Sequence, residues 1–434
     1  MRSRVACINP PSLLGTTANR EGAGGMGNVY PQVGAFLYPP HTLATVAGAL
    51  REGGLDISAR DCVLEGDALD QAVAWVAAQR TTFVAVQVSW ATRDADAAFL
   101  RGVREAVPCA VAAVGAFVPV MEDVLRGIPG IAWLRGEPER LLGAGLAMLG
   151  TEPSRWVGPL APSTLHLAGF EGDLYMESLE GLPHPAWDLF PWQRYGMLTV
   201  VGSRGCNHGC VYCPYVVAQG RRFRPRPVAD IVGELKWLAA EFGRPRVVFR
   251  DPVFALDRGR VLALCQEMVR EGLRVSWECE SRADDLDAET VQAMAKAGCT
   301  TVKLGLETAS RDLLLALGRV PDGAAAEAYT TRAVEAAHAC RQHGIACRVF
   351  ALTGLPGETD DAVEETIRLV QRMRPAALHV KELDWYPGTG LALPIGAEEV
   401  TAQERARRLT QAYQPPQQPK RTRLLARLKR RLLQ

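Results

Sequence analysis

Several absences narrow what this 434-residue chain is. No apolar run approaches the roughly 20 residues that a bilayer-spanning helix needs, so no such helix is expected. Neither sign of charge is in excess. Lys and Arg number 49 against 48 Asp and Glu, for a net charge of +1. Global charge therefore directs the chain neither to nucleic acid nor to an acidic partner. The start, Met1-Arg2-Ser3-Arg4-Val5-Ala6-Cys7, has neither the apolar region nor the cleavage site of a secretory signal. Eleven cysteines are an odd number, which a complete disulfide framework does not use. Without an export signal they point to a reducing cytoplasm. Cys7, Cys62, Cys109, Cys265, Cys279, Cys299, Cys340 and Cys347 are scattered singly. Such residues read as small buried hydrophobes.

What is present describes a globular protein, with 48% apolar and 22% charged residues. The length exceeds one ordinary core, so two domains plus appendages are expected. Residues 1–150 alternate short apolar runs (Val5–Asn9, Leu55–Arg60, Phe83–Ser89, Ala110–Gly115, Ile131–Leu134) with helical patterns (Thr42–Glu52, Ala68–Gln79, Asp94–Ala106, Pro138–Leu149). Continuous apolar strands are those of a parallel sheet covered on both faces, and five such units make a Rossmann-like α/β domain. Residues 151–195 are punctuated by proline and read as an ordered linker, with Trp187 and Trp192 packing on a neighbour. Residues 196–390 alternate again. The expected strands are Leu198–Gly202, Arg246–Phe249, Arg274–Cys279, Thr301–Leu306, Ile345–Leu352 and Ala377–Leu383. Six strand–helix units predict a partial (β/α)6 barrel with its chemistry at the carboxyl ends of the strands. Residues 391–434 form a C-terminal extension that ends in a basic tail.

The densest chemical signal follows the first of those six strands, in Ser203-Arg204-Gly205-Cys206-Asn207-His208-Gly209-Cys210-Val211-Tyr212-Cys213-Pro214. Thiolates suit iron–sulfur clusters. Three of them, here at C-x3-C-x2-C spacing, can hold three irons of a cube, and the fourth iron can then take a small molecule. Structural zinc wants four ligands. No fourth cysteine is near in sequence, and His208 sits awkwardly inside the loop.

This segment resembles the signature loop of the radical S-adenosyl-L-methionine (SAM) superfamily, which implies a 4Fe-4S cluster on Cys206, Cys210 and Cys213. Tyr212 stands just before the last cysteine, where the resemblance implies a cofactor contact. Further strand ends carry the likeness. Asp251, in Phe249-Arg250-Asp251-Pro252, stands where relatives place groups near the cofactor's amino end. Arg282, in Cys279-Glu280-Ser281-Arg282, is expected to pair with the carboxylate of S-adenosyl-L-methionine. Glu280, and Glu307 in Gly305-Leu306-Glu307-Thr308, are expected at the ribose hydroxyls. For these charged residues a purely structural ion pair is the alternative. Gly354 and Gly357, in Gly354-Leu355-Pro356-Gly357-Glu358-Thr359, resemble the adenine-side motif, and read equally as a turn before a helix. Asp384-Trp385-Tyr386-Pro387-Gly388-Thr389 resembles the P-G-T segment of many relatives.

The front domain resembles the cobalamin-binding domains fused to radical SAM enzymes. Ile8-Asn9-Pro10-Pro11, Tyr38-Pro39-Pro40-His41-Thr42-Leu43-Ala44, Gly115-Ala116-Phe117 and Gly136-Glu137-Pro138-Glu139 carry that likeness. The D-x-H-x-x-G motif that supplies a cobalt ligand in many cobalamin proteins is missing. His41, the only histidine of the domain, lacks the flanking Asp and Gly, so cobalamin without a histidine on its lower face is expected. Gly22-Ala23-Gly24-Gly25-Met26-Gly27 fits G-x-G-x-x-G but neither follows a strand directly nor opens a helix. It reads instead as a flexible loop over the corrin or the substrate.

The resemblance implies a cobalamin-dependent radical SAM methyltransferase. In such enzymes one S-adenosyl-L-methionine methylates the cobalt, and a second yields a 5′-deoxyadenosyl radical that takes hydrogen from an unactivated carbon. The methyl group then goes to that carbon, and the cofactors carry the hard chemistry. A rearrangement, cyclisation or ring contraction on the same cofactors is the alternative within the class. A non-catalytic iron–sulfur or corrinoid-binding module is the alternative outside it. The implied partners are a small-molecule, peptide or lipid substrate and an electron donor such as flavodoxin or ferredoxin, with no nucleic acid. No residue is assigned a catalytic role by the sequence.

Beyond Pro419, Lys420, Arg421, Arg423, Arg427, Lys429, Arg430 and Arg431 interleave with Leu424, Leu425, Leu428, Leu432 and Leu433. This is either a solvated terminus or a weak peripheral membrane contact, in which each cation adds about 1 kcal/mol near an anionic bilayer. On the second reading, truncation before Pro419 lowers co-sedimentation with anionic vesicles at low salt and leaves iron and corrinoid content unchanged. Equal sedimentation of the two forms returns the tail to the solvated reading.

Overall fold

The computed structural model describes residues 4–391 and 399–413; the basic tail after Pro419 lies outside the described residues. The chain forms two compact units. One takes in the residues up to Phe254 with Gln266–Trp277 and Tyr386–Leu391, the other Ala255–Cys265, Glu278–Trp385 and the described residues after 398.

The first unit is built on a six-stranded sheet. Arg4–Asn9 lies between Asp56–Asp61 and Phe83–Gln87, and Ala110–Val114, Ala132–Leu134 and Gly158–Leu160 follow in order. All the pairs are parallel, with Val5 opposite both Ile57 and Phe83. Numbered along the chain the order is 2-1-3-4-5-6, so the chain reverses its winding beside the first strand, where such sheets bind ligands. Val5 to Ile8, Phe83 to Val86 and Ala110 to Val114 are fully buried. Helices His41–Glu52, Leu69–Ala78, Arg93–Ala106 and Pro138–Leu149 form in the expected intervals. Ile8, Val84, Val86, Phe99, Leu100 and Val111 share one core cluster.

Three features differ from the sequence expectation. Gly158–Leu160 leaves the proline-rich linker to become the sixth strand, pairing through Ala132↔Gly158. Its Gly-Pro-Leu sequence has no strand pattern, so pairing with the neighbouring strand forms it. Thr17–Asn19 and Asn28–Tyr30 make an antiparallel hairpin. Between them Gly22–Gly25 forms a tight 3-10 turn where the sequence showed no regular element. Gly27 N–H donates to Gly22 C=O at 3.0 Å, and Met26 is buried against Phe117 and Ala218. A strand follows this turn where a dinucleotide site needs a helix.

Arg20 anchors this hairpin from inside. Its guanidinium donates to Asp96 at 3.0 and 2.6 Å, to Asn9 Oδ1 at 2.9 Å and to the Pro10 carbonyl at 2.7 Å. Asp96 accepts further bonds from Ser89 N–H at 2.9 Å and Thr92 Oγ1 at 2.7 Å.

All six strands expected after residue 196 form. In the first unit Leu198–Val200 runs parallel to Val247–Phe249. In the second, the part of strand Trp277–Arg282 from Glu278 on, Cys299–Glu307, Ala346–Thr353 and Ala377–Glu382 are neighbours in chain order. Helices Ala288–Lys296, Gly323–Gln342 and Asp360–Met373 connect them. The last begins on a side-chain cap from Thr359, and Asp360 and Asp361 occupy its first turn. Helix Glu399–Ala412, which sequence periodicity did not reveal, packs through Leu409 on Val363, Ile367 and Val380.

Replacing Asp96 with Ala strands a buried guanidinium. A loss of about 3–5 kcal/mol is expected in guanidinium-induced unfolding followed by tryptophan fluorescence.

Candidate functional site

The cysteine loop belongs wholly to the first unit, where a short ribbon clasps its base. Ser203–Arg204 pairs antiparallel with Arg224–Pro225. Gly205 stands in the left-handed region at φ +78°, and a Cβ there would lie 1.9 Å from the Arg222 carbonyl oxygen, so only glycine fits. Cys206 N–H donates to Gly220 C=O at 3.2 Å. Cys206 and Cys210 are buried, Cys213 is half-buried, and none is in a disulfide. Tyr212 is half-buried in the same loop. Among the described residues no three His, Cys, Asp or Glu side chains are gathered as ligands of one ion. Three thiolates bound to separate irons of a cube have no need to converge on one point. The residue types, burial and glycine-bent backbone fit a cluster.

Asp251 governs the approach to this loop. It is fully buried, and its carboxylate accepts Gly202 N–H at 2.7 Å and Ser203 Oγ at 2.6 Å. These bonds hold the backbone that enters the cysteine loop and position that loop.

Beside the loop lies a cavity with about 740 Å3 of empty space, its open mouth included. It sits over the carboxyl ends of the parallel sheet, where such folds bind ligands. Gly24, Gly25, Ala116 and Gly136 leave room along one part of its wall, and Arg204, Val217 and Gln219 bring the ribbon and the helix after the cysteines to another. Glu21 secures the wall by accepting Thr42 N–H at 2.9 Å and the Gln87 amide at 2.7 Å. Arg250 donates to the Glu21 carbonyl at 2.6 Å and lies 4.1 Å from the Tyr38 ring centre.

A buried charge network ties the cavity to the ribbon. Arg224 forks onto Glu137 with two bonds of 2.8 Å. It also donates to the carbonyls of Met176 and Gln219, each at 2.6 Å. Arg204 reaches Glu139 at 2.5 Å and Glu137 at 3.3 Å. Burial opposes the Arg204 charge, but the two carboxylates outweigh it and raise the guanidinium pKa. Glu137 and Glu139 were legible as part of a front-domain motif. Their partners, 65 and 87 residues away in sequence, left no spacing signal.

His41 lines the cavity. Its Nδ1 is 2.9 Å from Thr199 Oγ1 and its ring centre is 6.0 Å from that of Trp187. Burial, with the nearby cations Arg204, Arg250 and Arg226, pushes its pKa down to about 3, so the imidazole is neutral.

In the second unit, Arg282 stands at the end of strand Trp277–Arg282. It is buried, grips Asp284 with bonds of 2.9 and 2.7 Å and donates to the Arg319 carbonyl at 2.8 Å. Glu280 lies 3.6 Å from Lys303. Glu307 is 3.8 Å from Arg319 and takes φ +66° beside a bulge in its strand. That conformation is uncommon for a non-glycine residue and clusters at functional sites. Gly354 and Gly357 have φ +73° and +78°. Gly354 N–H donates to Glu358 Oε2 at 3.0 Å, closing the turn before the helix.

Comparison with known proteins supplies an independent line. Residues 200–370 match the family model of the radical SAM superfamily. An uncharacterized methyltransferase of Pyrococcus horikoshii is 28% identical over 221 residues, 50% of this chain and 47% of the relative. The tryptophan 2-C-methyltransferase of Streptomyces laurentii is 25% identical over 213 residues, 45% of this chain and 34% of the relative. The chain thus spans less than half the length of either. Among solved structures, the radical S-adenosylmethionine methyltransferase TsrM from Kitasatospora setae, with cobalamin and a 4Fe-4S cluster bound, superposes with a TM-score of 0.67 at 18% identity, covering 90% of this chain and 74% of its own. The cobalamin-dependent S-adenosylmethionine radical enzyme OxsB, with aqua-cobalamin and S-adenosylmethionine bound, gives 0.64 at 16%, covering 94% and 55%. The α/β fold, a Rossmann-like domain followed by a partial barrel, is shared with both.

The neutral His41 has a consequence for stability. Below its ordinary pKa of 6.5 the unfolded chain takes up a proton that the folded chain refuses until about pH 3. The stability held above pH 6.5 is therefore lost as the pH falls. Between pH 7 and 5 the wild type is expected to lose about 2 kcal/mol more than His41→Asn, measured by denaturant unfolding at each pH. The half-buried His184, whose pKa is also lowered by burial, is common to both proteins and cancels in the difference.

Proposed function

We propose that this chain, a radical SAM protein by its residues 200–370, is a cobalamin-dependent methyltransferase that adds a methyl group to an unactivated carbon of a small molecule. One observation carries this reading: a single compact unit sets the three-cysteine loop beside a cavity over the carboxyl ends of a Rossmann-like sheet. The fold shared with TsrM and OxsB and the methyltransferases among its relatives support it.

Cys206, Cys210 and Cys213 would hold a 4Fe-4S cluster, and the cavity would receive cobalamin. When bound, the cluster supplies the electron that cleaves S-adenosyl-L-methionine, and cobalamin supplies the methyl group. The chain's own residues provide position and a dry environment. Asp251 orders the backbone entering the loop. Arg204 and Arg224, locked to Glu137 and Glu139, hold that backbone to the cavity wall. Neutral His41, turned by Thr199, brings no added positive charge to a site already rich in arginine. An electron donor of the flavodoxin or ferredoxin kind would complete the system.

Anaerobic turnover with methyl-labelled S-adenosyl-L-methionine tests the reading. Label is expected on a carbon of the product, with 5′-deoxyadenosine and S-adenosylhomocysteine as coproducts. An isomerised or cyclised product without label would assign the chain to the rearranging alternative. Replacement of all three cysteines by Ala is expected to abolish iron binding and reductive cleavage, with the far-UV circular dichroism retained. Cleavage surviving in that triple variant would overturn the cluster assignment.

A further inference from the structure

The second unit carries a cationic face on two neighbouring strands. Along Ala346–Thr353, Val349 and Ala351 are fully buried while Arg348 and Phe350 are half-buried. On the neighbouring strand, Val380 packs against Val363, Ile367 and Leu409 of the covering helices. Side chains alternate across a sheet, so His379 and Lys381 lie on the opposite, open face, and both are exposed. The register sets Phe350 opposite His379 and Leu352 opposite Lys381. The Phe350 and His379 rings stack, 4.9 Å apart and 17° from parallel. The Lys381 ammonium lies 5.8 Å from the Phe350 ring centre.

Charge on this face is unevenly matched. Lys303, one strand further in and opposite Arg348, is held by Glu278 at 3.1 Å and Glu280 at 3.6 Å. Neither Arg348 nor Lys381 has a carboxylate within ion-pair distance among the described residues. Burial, with Arg348, Lys381 and Lys303 nearby, lowers the His379 pKa, so this ring adds little charge of its own. Arg348 and Lys381 thus flank a flat aromatic platform. Such a surface attracts an anion attached to an apolar or planar body.

We propose that this face is the docking subsite for an anionic substrate, whose carboxylate or phosphate group is neutralised by Arg348 and Lys381 while its body lies along the Phe350–His379 stack. The proposal names the substrate class for the small-molecule reading above and rests on it.

Equilibrium binding to the full chain, reconstituted anaerobically, tests it with benzoate, phenyl phosphate and the uncharged benzamide as probes. Benzoate or phenyl phosphate is expected to bind and to shift the His379 ring resonances in NMR spectra, and the tighter of the two identifies the anion. Benzamide is expected to bind about tenfold more weakly or worse, and Arg348→Gln and Lys381→Gln each to weaken the anion by about tenfold. Lys381 is exposed, so its variant carries the test if Arg348→Gln does not fold. Equal binding of benzamide and benzoate, no binding of either anion at millimolar concentration, or wild-type affinity in Lys381→Gln overturns the proposal. A parallel fall in S-adenosylhomocysteine affinity in these variants would assign the cations to the cofactor's carboxylate and likewise overturn the substrate role. The readout needs no turnover. Failure of the wild type to cleave S-adenosyl-L-methionine would strike the proposed function, while failed anion discrimination would strike the subsite alone.

Discussion

The pairing of Glu137 and Glu139 with Arg204 and Arg224 is the constraint on which the first unit's site depends. All four side chains are nearly inaccessible to water. Their charges are tolerable there because each has an opposite partner at bonding distance and because Arg224 fills its remaining donors with main-chain carbonyls. Such pairs add little net stability over an apolar substitute, yet removing one member costs about 3–5 kcal/mol. Their effect is directional. They require the loop after the fifth sheet strand to meet the ribbon that begins and ends the cysteine loop, and no sliding of one against the other preserves the bonds.

Other placements follow from that one. Arg204 immediately precedes Gly205 and Cys206, so fixing its guanidinium fixes where the cysteine loop starts. Asp251 fixes the same backbone two residues earlier through Gly202 and Ser203. On the cavity side, Glu21 and Arg250 hold the tight glycine turn in place. Polar groups buried around the cavity are thus largely committed to one another, and much of the remaining wall is glycine, alanine, proline, valine and leucine, with Tyr175 and the neutral imidazole of His41.

Much of this was legible from pattern. The strands came from apolar runs and the helices from their periodicity, because both signals are local. The cysteine loop came from spacing alone. Strand Gly158–Leu160 stayed hidden because a Gly-Pro-Leu segment becomes a strand only by finding a neighbour. Helix Glu399–Ala412 has a weakly apolar sequence and gains its place through Leu409 in a tertiary cluster. Among the site residues, Glu280 and Glu307 stand where strand-end reasoning placed them, though which ligand they meet is not a matter of position. Asp251 and Arg282 were identified as strand-end charges, but sequence could not show that each is engaged by its own chain: Asp251 by an N–H and a hydroxyl next door, Arg282 by an aspartate two residues on. The reach of Arg224 to Glu137 across 87 residues is a product of the fold, not of any interval in the chain.

The ribbon of Ser203–Arg204 with Arg224–Pro225 also bears on the entropy of the cysteine loop. Its pairing joins the two ends of the intervening segment, and the buried ion pairs of Arg204 and Arg224 hold that junction. Closing a segment at its ends removes much of its conformational freedom. The three thiols are thereby confined to a loop whose two ends cannot move apart independently.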